Sequence, residues 1–405
     1  MDAALIILLC VIGTALFFDF TNGFHDTGNA VAASIATGAL KPKTAVALSA
    51  VMNLVGAFLS IAVALTVTNS VVKIQADDGT PLPELMGGHG EALLRIVLAG
   101  LIGGILWNMF TWLLGLPSSS SHALFGGIIG STMAAQGVDG VKWVGDASKI
   151  SGVLGKIIMP ALLSPIIAGL IAMVGTLIVF RIAARGHGER TSNGFKFGQI
   201  GAASLMSLAH GTNDAQKTMG VITLALIAYG SWTHTDAIPL WVKVVCALAI
   251  ALGTYLGGWR IIRTLSKGLV DITRPQGMAA DGASSAVILA SSHLGFALST
   301  TQVASGSILG SGVGRPGATV RWSVAGRMIL AWAMTLPAAG LVGALMWVVS
   351  NALGGLVGAL VIMACFIAGA LVMYLRSRHH QITHHNVDEI WDGGPRVRKS
   401  ASRVA

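Results

Sequence analysis

The sequence predicts an all-α, polytopic membrane protein of about 10–12 helices, with inverted repeats and discontinuous or re-entrant helices. Three observations lead there. Of 405 residues, 54% are hydrophobic and only 11% are charged, whereas roughly a quarter of a soluble domain is charged. The mean hydropathy is +0.74. Several apolar runs are split by short polar clusters that recur at matching places in the two halves of the chain. The 52 glycines, against 11 prolines, sit inside apolar stretches beside Ala and Ser, as suits helices packed closely in lipid.

The net charge of +9 does not indicate nucleic acid, because the bases fall between apolar runs without an aromatic-interleaved patch. They read as topology signals. Cys10, Cys246 and Cys365 each lie within an apolar run, so neither disulfides nor a zinc knuckle are expected. Residues 3–18 follow Met1-Asp2 without a basic leader or cleavage site, and should remain as a membrane segment. Stretches long enough to cross run over 44–66, 92–114, 155–180, 241–262, 324–349 and 355–374.

Four interruptions lie between these stretches. DFTNGFHDTGN at 19–29 separates two half-length runs, and the whole reads as one broken helix. In GLPSSSSH, 115–122, Pro117 ends a helix and the serines can cap a new one. AHGTNDAQKT at 209–218 is expected to break a helix as the first cluster does, and STTQ at 299–302 precedes another short apolar run.

The clusters pair. Gly23-Phe24-His25-Asp26 aligns with Gly211-Thr212-Asn213-Asp214, 188 positions later, and Ser119-Ser120-Ser121-His122 with Ser299-Thr300-Thr301-Gln302, 180 later. The expected organisation is a first inverted repeat at 1–180, a cytoplasmic connecting loop at 181–196, a second repeat at 197–375 and a basic cytoplasmic tail at 376–405. Starting with the N-terminus outside delivers Lys41, Lys43, Arg181, Arg185, Arg190, Lys196, Arg260, Arg263, Lys267, Arg274, Arg315, Arg321 and the C-terminal tail to the cytoplasm. The loop with Asp77, Asp78 and Glu84 then lies outside. The second repeat starts on the opposite side from the first, a design used by secondary transporters.

Asp26 and Asp214 are ionisable groups between apolar runs, which marks a pathway or partner rather than simple helix caps. Three positions later stand Asn29 and Lys217. Asn29 can offer an oxygen to a hard cation, whereas Lys217 brings a fixed ammonium that can replace a cation beside Asp214; snorkelling is the bland alternative. The hydroxyls of Ser118 to Ser121 and Ser299 to Thr301, with the free amides of a new helix, suit an oxyanion. Plain capping of backbone carbonyls would use the same residues. His25, His122 and His210 adjoin the clusters as candidates for a proton relay or for hydrogen bonds to the backbone. The tail pairs His379-His380 and His384-His385 are given no role. Ser121 and His122 are adjacent and lack a nucleophile elbow, which argues against a hydrolase.

At NGFHDTGNAVA (22–32), LPSSSSHALFGGIIG (116–130), HGTNDAQKTMG (210–220) and STTQVASGSILG (299–310) the chain resembles the PiT family of inorganic phosphate transporters. The resemblance covers nearly the whole chain. It implies cation-coupled phosphate uptake by a homodimer in the cytoplasmic membrane of a prokaryote, with no enzymatic step and no cofactor beyond a coupling H+ or Na+. By similarity Asp26, Asn29, Asn213, Asp214 and Lys217 belong to cation coupling, and Ser119, Ser120, Ser121, Thr300 and Thr301 hold phosphate. Lys217 stands where sodium-coupled relatives tend to carry Asn. This favours proton symport and admits phosphate carried as a neutral divalent-metal complex. Gln302 stands where many relatives repeat His. A sulfate permease of the same fold is the alternative, and an anion channel a more distant one.

Overall fold

The computed structural model describes residues 2–74, 82–145, 151–184, 189–378 and 382–387. Asp77, Asp78, Arg185, His379, His380 and the tail past 387 lie outside the described residues. The first half runs α1 (Ala3–Ala36), α2 (Pro42–Gly56), α3 (Ala62–Ser70), α4 (Pro83–Leu113), α5 (Ser120–Gln136) and α6 (Met159–Ala183), the last entered through a π-helical turn. The second runs α7 (Glu189–Tyr229), α8 (Leu240–Leu256), α9 (Trp259–Lys267), α10 (Arg274–His293), α11 (Thr300–Val313) and α12 (Trp322–Leu353); α13 (Gly355–Ser377) follows.

A long helix, a broken pair, a helical hairpin and a closing helix thus occur twice in the same order. Isolated β-bridges stand at matching places, Val72 with Val141 around the first hairpin and Val270 with Val320 around the second. Each hairpin is backed by the closing helix of the other half, α5 by α12 and α11 by α6. Among the described residues five helical segments are long and apolar enough to cross a bilayer, and α8 with α9, bent by 65°, would make a sixth. At about 1.5 Å per residue α5 and α11 reach about 26 and 21 Å, short of a hydrocarbon core of about 30 Å, whereas α4, the partner of α5, is long enough to cross.

Two expectations are reversed. The clusters at 19–29 and 209–218 do not break their helices, since α1 and α7 run through them over 34 and 41 residues. Polar side chains leave the helical backbone bonds intact when their partners lie sideways on other helices. The breaks fall instead inside 44–66 and 241–262, which read as simple spans: α2 stops at Gly56 before α3, and α8 stops at Leu256 before α9. The cause is the partner helix. α8 and α9 pack on α1, and α2 and α3 on α7, so the bend lets each pair follow a polar helix from the opposite half.

Glycine permits that approach. A Cβ on Gly253 would strike the Phe20 carbonyl of α1, and one on Gly211 the Asn53 carbonyl of α2. The open start of α3 is closed from α7, where Gln216 Oε1 accepts from the Val63 and Ala64 amides at 2.9 and 3.3 Å. Gly253→Val should therefore destabilise the protein by about 1–3 kcal/mol, read as a lower thermal unfolding midpoint in detergent. Gly13→Val, on α1 where a Cβ meets nothing within 4 Å, should leave that midpoint unchanged.

Candidate functional site

The two long helices carry matching polar stripes. On α1 it is Asp19, Asn22, Asp26 and Asn29; on α7 it is Ser207, His210, Asp214 and Lys217. Steps of three, four and three keep each set on one helix face, and all eight residues are buried.

The hairpin tips meet these stripes. Ser119 and Ser299 are N-caps, their hydroxyls accepting from the amides of His122 at 3.1 Å and Gln302 at 3.3 Å. Their oxygens serve their own helices. The next two residues in each hairpin reach outward. Ser120 Oγ donates to Asp26 Oδ1 at 3.1 Å, and Thr300 Oγ1 donates to Asp214 Oδ2 at 2.9 Å. Lys217 Nζ donates to Ser121 Oγ at 2.6 Å, and Asn29 Nδ2 donates to Thr301 Oγ1 at 3.0 Å. Each bond has its counterpart in the other half, and each hairpin tip touches both long helices. Thr301 Oγ1 also donates to Asp26 Oδ1 at 3.4 Å.

Charge is concentrated here. One ligating atom from each of Asp26, His210 and Asp214 lies within 4.8 Å of the others. Two bare carboxylates so close in a dry interior repel strongly and lose their hydration. Lys217 answers one of them, donating to Asp214 Oδ1 and to the Leu298 carbonyl at 2.9 Å. With Ser121, these contacts use all three ammonium protons. Asn29 makes no charge compensation beside Asp26, and its Oδ1 has no partner among the described residues. Such a carboxylate pair with a histidine can take a cation or a proton.

The histidines divide. His25 Nδ1 lies 2.6 Å from Asp26 Oδ1 and its Nε2 lies 3.3 Å from Thr111 Oγ1. His210 Nε2 lies 3.0 Å from Asp214 Oδ2 and its Nδ1 lies 3.1 Å from Asn53 Oδ1. His122 stands apart: its Nε2 has no partner among the described residues, and with Gln302 it lines a separate cavity of about 700 Å³ between α6 and α12. Among the described residues no hydrogen bond joins His122 Nε2 to the carboxylates. The Ser121 hydroxyl is bonded to Lys217 and to the Leu298 carbonyl at 3.1 Å, so the two adjacent residues form no catalytic pair. Asn213 Nδ2 donates to Ser292 Oγ at 2.7 Å and to the Phe296 carbonyl at 3.4 Å. Its Nδ2 holds the α10–α11 turn, and its Oδ1 has no partner among the described residues.

The model of the phosphate transporter family matches residues 22–192 and 181–343, and each match contains one aspartate motif and one hydroxyl tract. The chain belongs to the phosphate transporter family. A protein of Mycobacterium bovis is 57% identical over 394 residues, covering 97% of this chain and 89% of that one. One of Bacillus subtilis is 41% identical over 345 residues, covering 85% and 97%. Both are named "Probable low-affinity inorganic phosphate transporter". A solved structure titled "The sodium-dependent phosphate transporter" superposes with a TM-score of 0.71 at 20% identity, over 84% of this chain and 98% of that one. That likeness establishes a shared fold.

Within this family member, several buried partners escape a motif search. Asn53 Nδ2 donates to Thr254 Oγ1 at 2.8 Å beneath His210, and Thr111 lies 2.7 Å from Ser118 beneath His25. Asn53, Thr111 and Thr254 are isolated polar residues in apolar stretches, and only helix crossing brings them to the histidines. The three-four-three spacing shared with the α7 stripe is the signal that singles out Asp19, which the motifs alone do not. Lys217→Met strands the Asp214 carboxylate and should cost about 3–5 kcal/mol. Adding Asp214→Asn should recover much of that loss, so that a double-mutant cycle of unfolding in detergent shows a clear coupling between the two.

Proposed function

We propose that this member of the family takes up inorganic phosphate by cation symport, with a proton favoured over sodium. One observation carries the reading: Ser120, Ser121, Thr300 and Thr301 share a single buried network with Asp26, Asn29, Asp214 and Lys217. Hydroxyls and first-turn amides suit the oxygens of a phosphate. The adjacent carboxylates repel that anion until a cation or proton neutralises them, which makes binding of the two mutually dependent. The same carboxylates can accept a hydrogen bond from a protonated phosphate oxygen, which favours phosphate over sulfate. Lys217 already places a positive charge beside Asp214, leaving fewer places for sodium. A neutral divalent-metal phosphate fits the same logic, since its charge is balanced before entry.

In this reading 1–180 and 197–375 are inverted repeats, linked by 181–196 and followed by the tail 376–405. Their relative motion exposes the shared network alternately to each side. The N-terminus lies outside and the C-terminus in the cytoplasm, as the Lys and Arg positions favour, and the protein works as a homodimer in a prokaryotic plasma membrane.

Purified protein in liposomes should accumulate labelled phosphate when the interior is made alkaline, and excess sulfate should not compete. Asp26→Asn should abolish accumulation, and Lys217→Asn should shift the dependence toward sodium. Uptake that only equilibrates, with neither gradient driving accumulation, would show a channel instead.

A further inference from the structure

Two turns before Asp26 on α1, Asp19 is 0% exposed and takes no part in the network above. Neither carboxylate oxygen has a hydrogen-bond partner among the described residues. The Thr218 hydroxyl of α7 faces it. The titratable and charged groups around it are Asp214 and Lys217 from α7 and the Cys246 thiol from α8. An ionised carboxylate here would be unpaired at membrane depth and repelled by Asp214. Lys217 acts on it only through space and gives it no hydrogen bond, because its three protons go to Asp214, Ser121 and the Leu298 carbonyl.

The surroundings suit a proton. Oxygens without partners near Asp19 are Thr218 Oγ1 and, one turn along α1, Asn22 Oδ1. Beyond these the neighbour is a thiol, a soft group that hard cations avoid. A carboxylic acid needs a single acceptor for its O–H, and Thr218 Oγ1 is placed to supply it. We propose that Asp19 is a proton-carrying site of the transport cycle, its acid O–H donating to Thr218 Oγ1. The site occurs once, since the matching position of α7 is Ser207, whose hydroxyl donates to the Ala203 carbonyl at 2.8 Å.

The step is a simple protonation. The carboxylate takes H+ arriving from the outer side, and the acid later returns it toward the cytoplasm. Thr218 follows Lys217 directly on α7. When Asp19 ionises, its charge competes with Asp214 for the ammonium and weakens the hold of Lys217 on Ser121, so the proton on Asp19 governs the hydroxyl tip electrostatically. This role rests on the proton-coupled reading above, while the protonated acid itself can be observed without transport.

The test compares wild type with Asp19→Asn and Asp19→Glu in liposomes and by infrared difference spectroscopy. Wild type should show a protonated-carboxyl C=O band at neutral pH that Asp19→Asn lacks and Thr218→Val shifts. Asp19→Asn should keep exchange of labelled for unlabelled phosphate but lose accumulation under a pH gradient, and Asp19→Glu should restore accumulation. An absent band in wild type, a band that Thr218→Val leaves unshifted, or accumulation retained by Asp19→Asn would overturn the proposal. Wild type driven by sodium and indifferent to the pH gradient would instead overturn the proton-coupled reading, with the infrared band reporting Asp19 separately.

Discussion

The structure turns on burying Asp26 and Asp214 side by side. A carboxylate removed from water is tolerated only where donors or opposite charge replace its hydration: Asp26 draws donors from both halves of the chain, and Asp214 from its own half, its Lys217 partner being held in turn by Ser121 of the first. Thr300 and Thr301 both come from the second hairpin, yet one bonds Asp214 of the second half while the other bonds Asn29 and Asp26 of the first. The hairpins have to reach the same place from their two starting points. This demand accounts for each hairpin leaning on the closing helix of the opposite half.

Such a centre requires helices that approach closely. Gly253 against Phe20 and Gly211 against Asn53 bring backbone onto backbone, and the bends in the accompanying helices keep them in contact with α1 and α7. The polar motifs therefore have two roles. Residues of one face build the central network, while Thr212 donates to the Gly56 carbonyl at 2.9 Å and Gln216 caps the start of α3. A single run of ten residues fixes both the chemistry and the break in its neighbour.

Within this two-fold arrangement the residues have diverged. Asn29 faces Lys217 in the alignment of the halves, Asp19 faces Ser207, and His122 faces Gln302. The geometry is shared, but the charge is not. A cation built into one half and an extra acid in the other mean that exchanging the roles of the halves does not present the same electrostatics to a ligand.

Composition and repeated motifs were enough to determine a helical membrane protein with polar centres at Asp26, Asp214 and the two hydroxyl tracts, since charges and hydroxyls are scarce in lipid and stand out against an apolar background. The same signal misplaced the breaks. A polar, Gly-rich run is compatible with a severed helix or with a continuous one served from the side, and its own residues do not distinguish them. Only the crossing of α8 and α9 over α1, and of α2 and α3 over α7, decided that the motifs stay helical and their partners bend. Tertiary packing also directed the His122 ring into a separate cavity and brought Asn53 under His210. Side-chain direction depends on which helices close around a residue, and that follows from long-range contact rather than from neighbours in the chain.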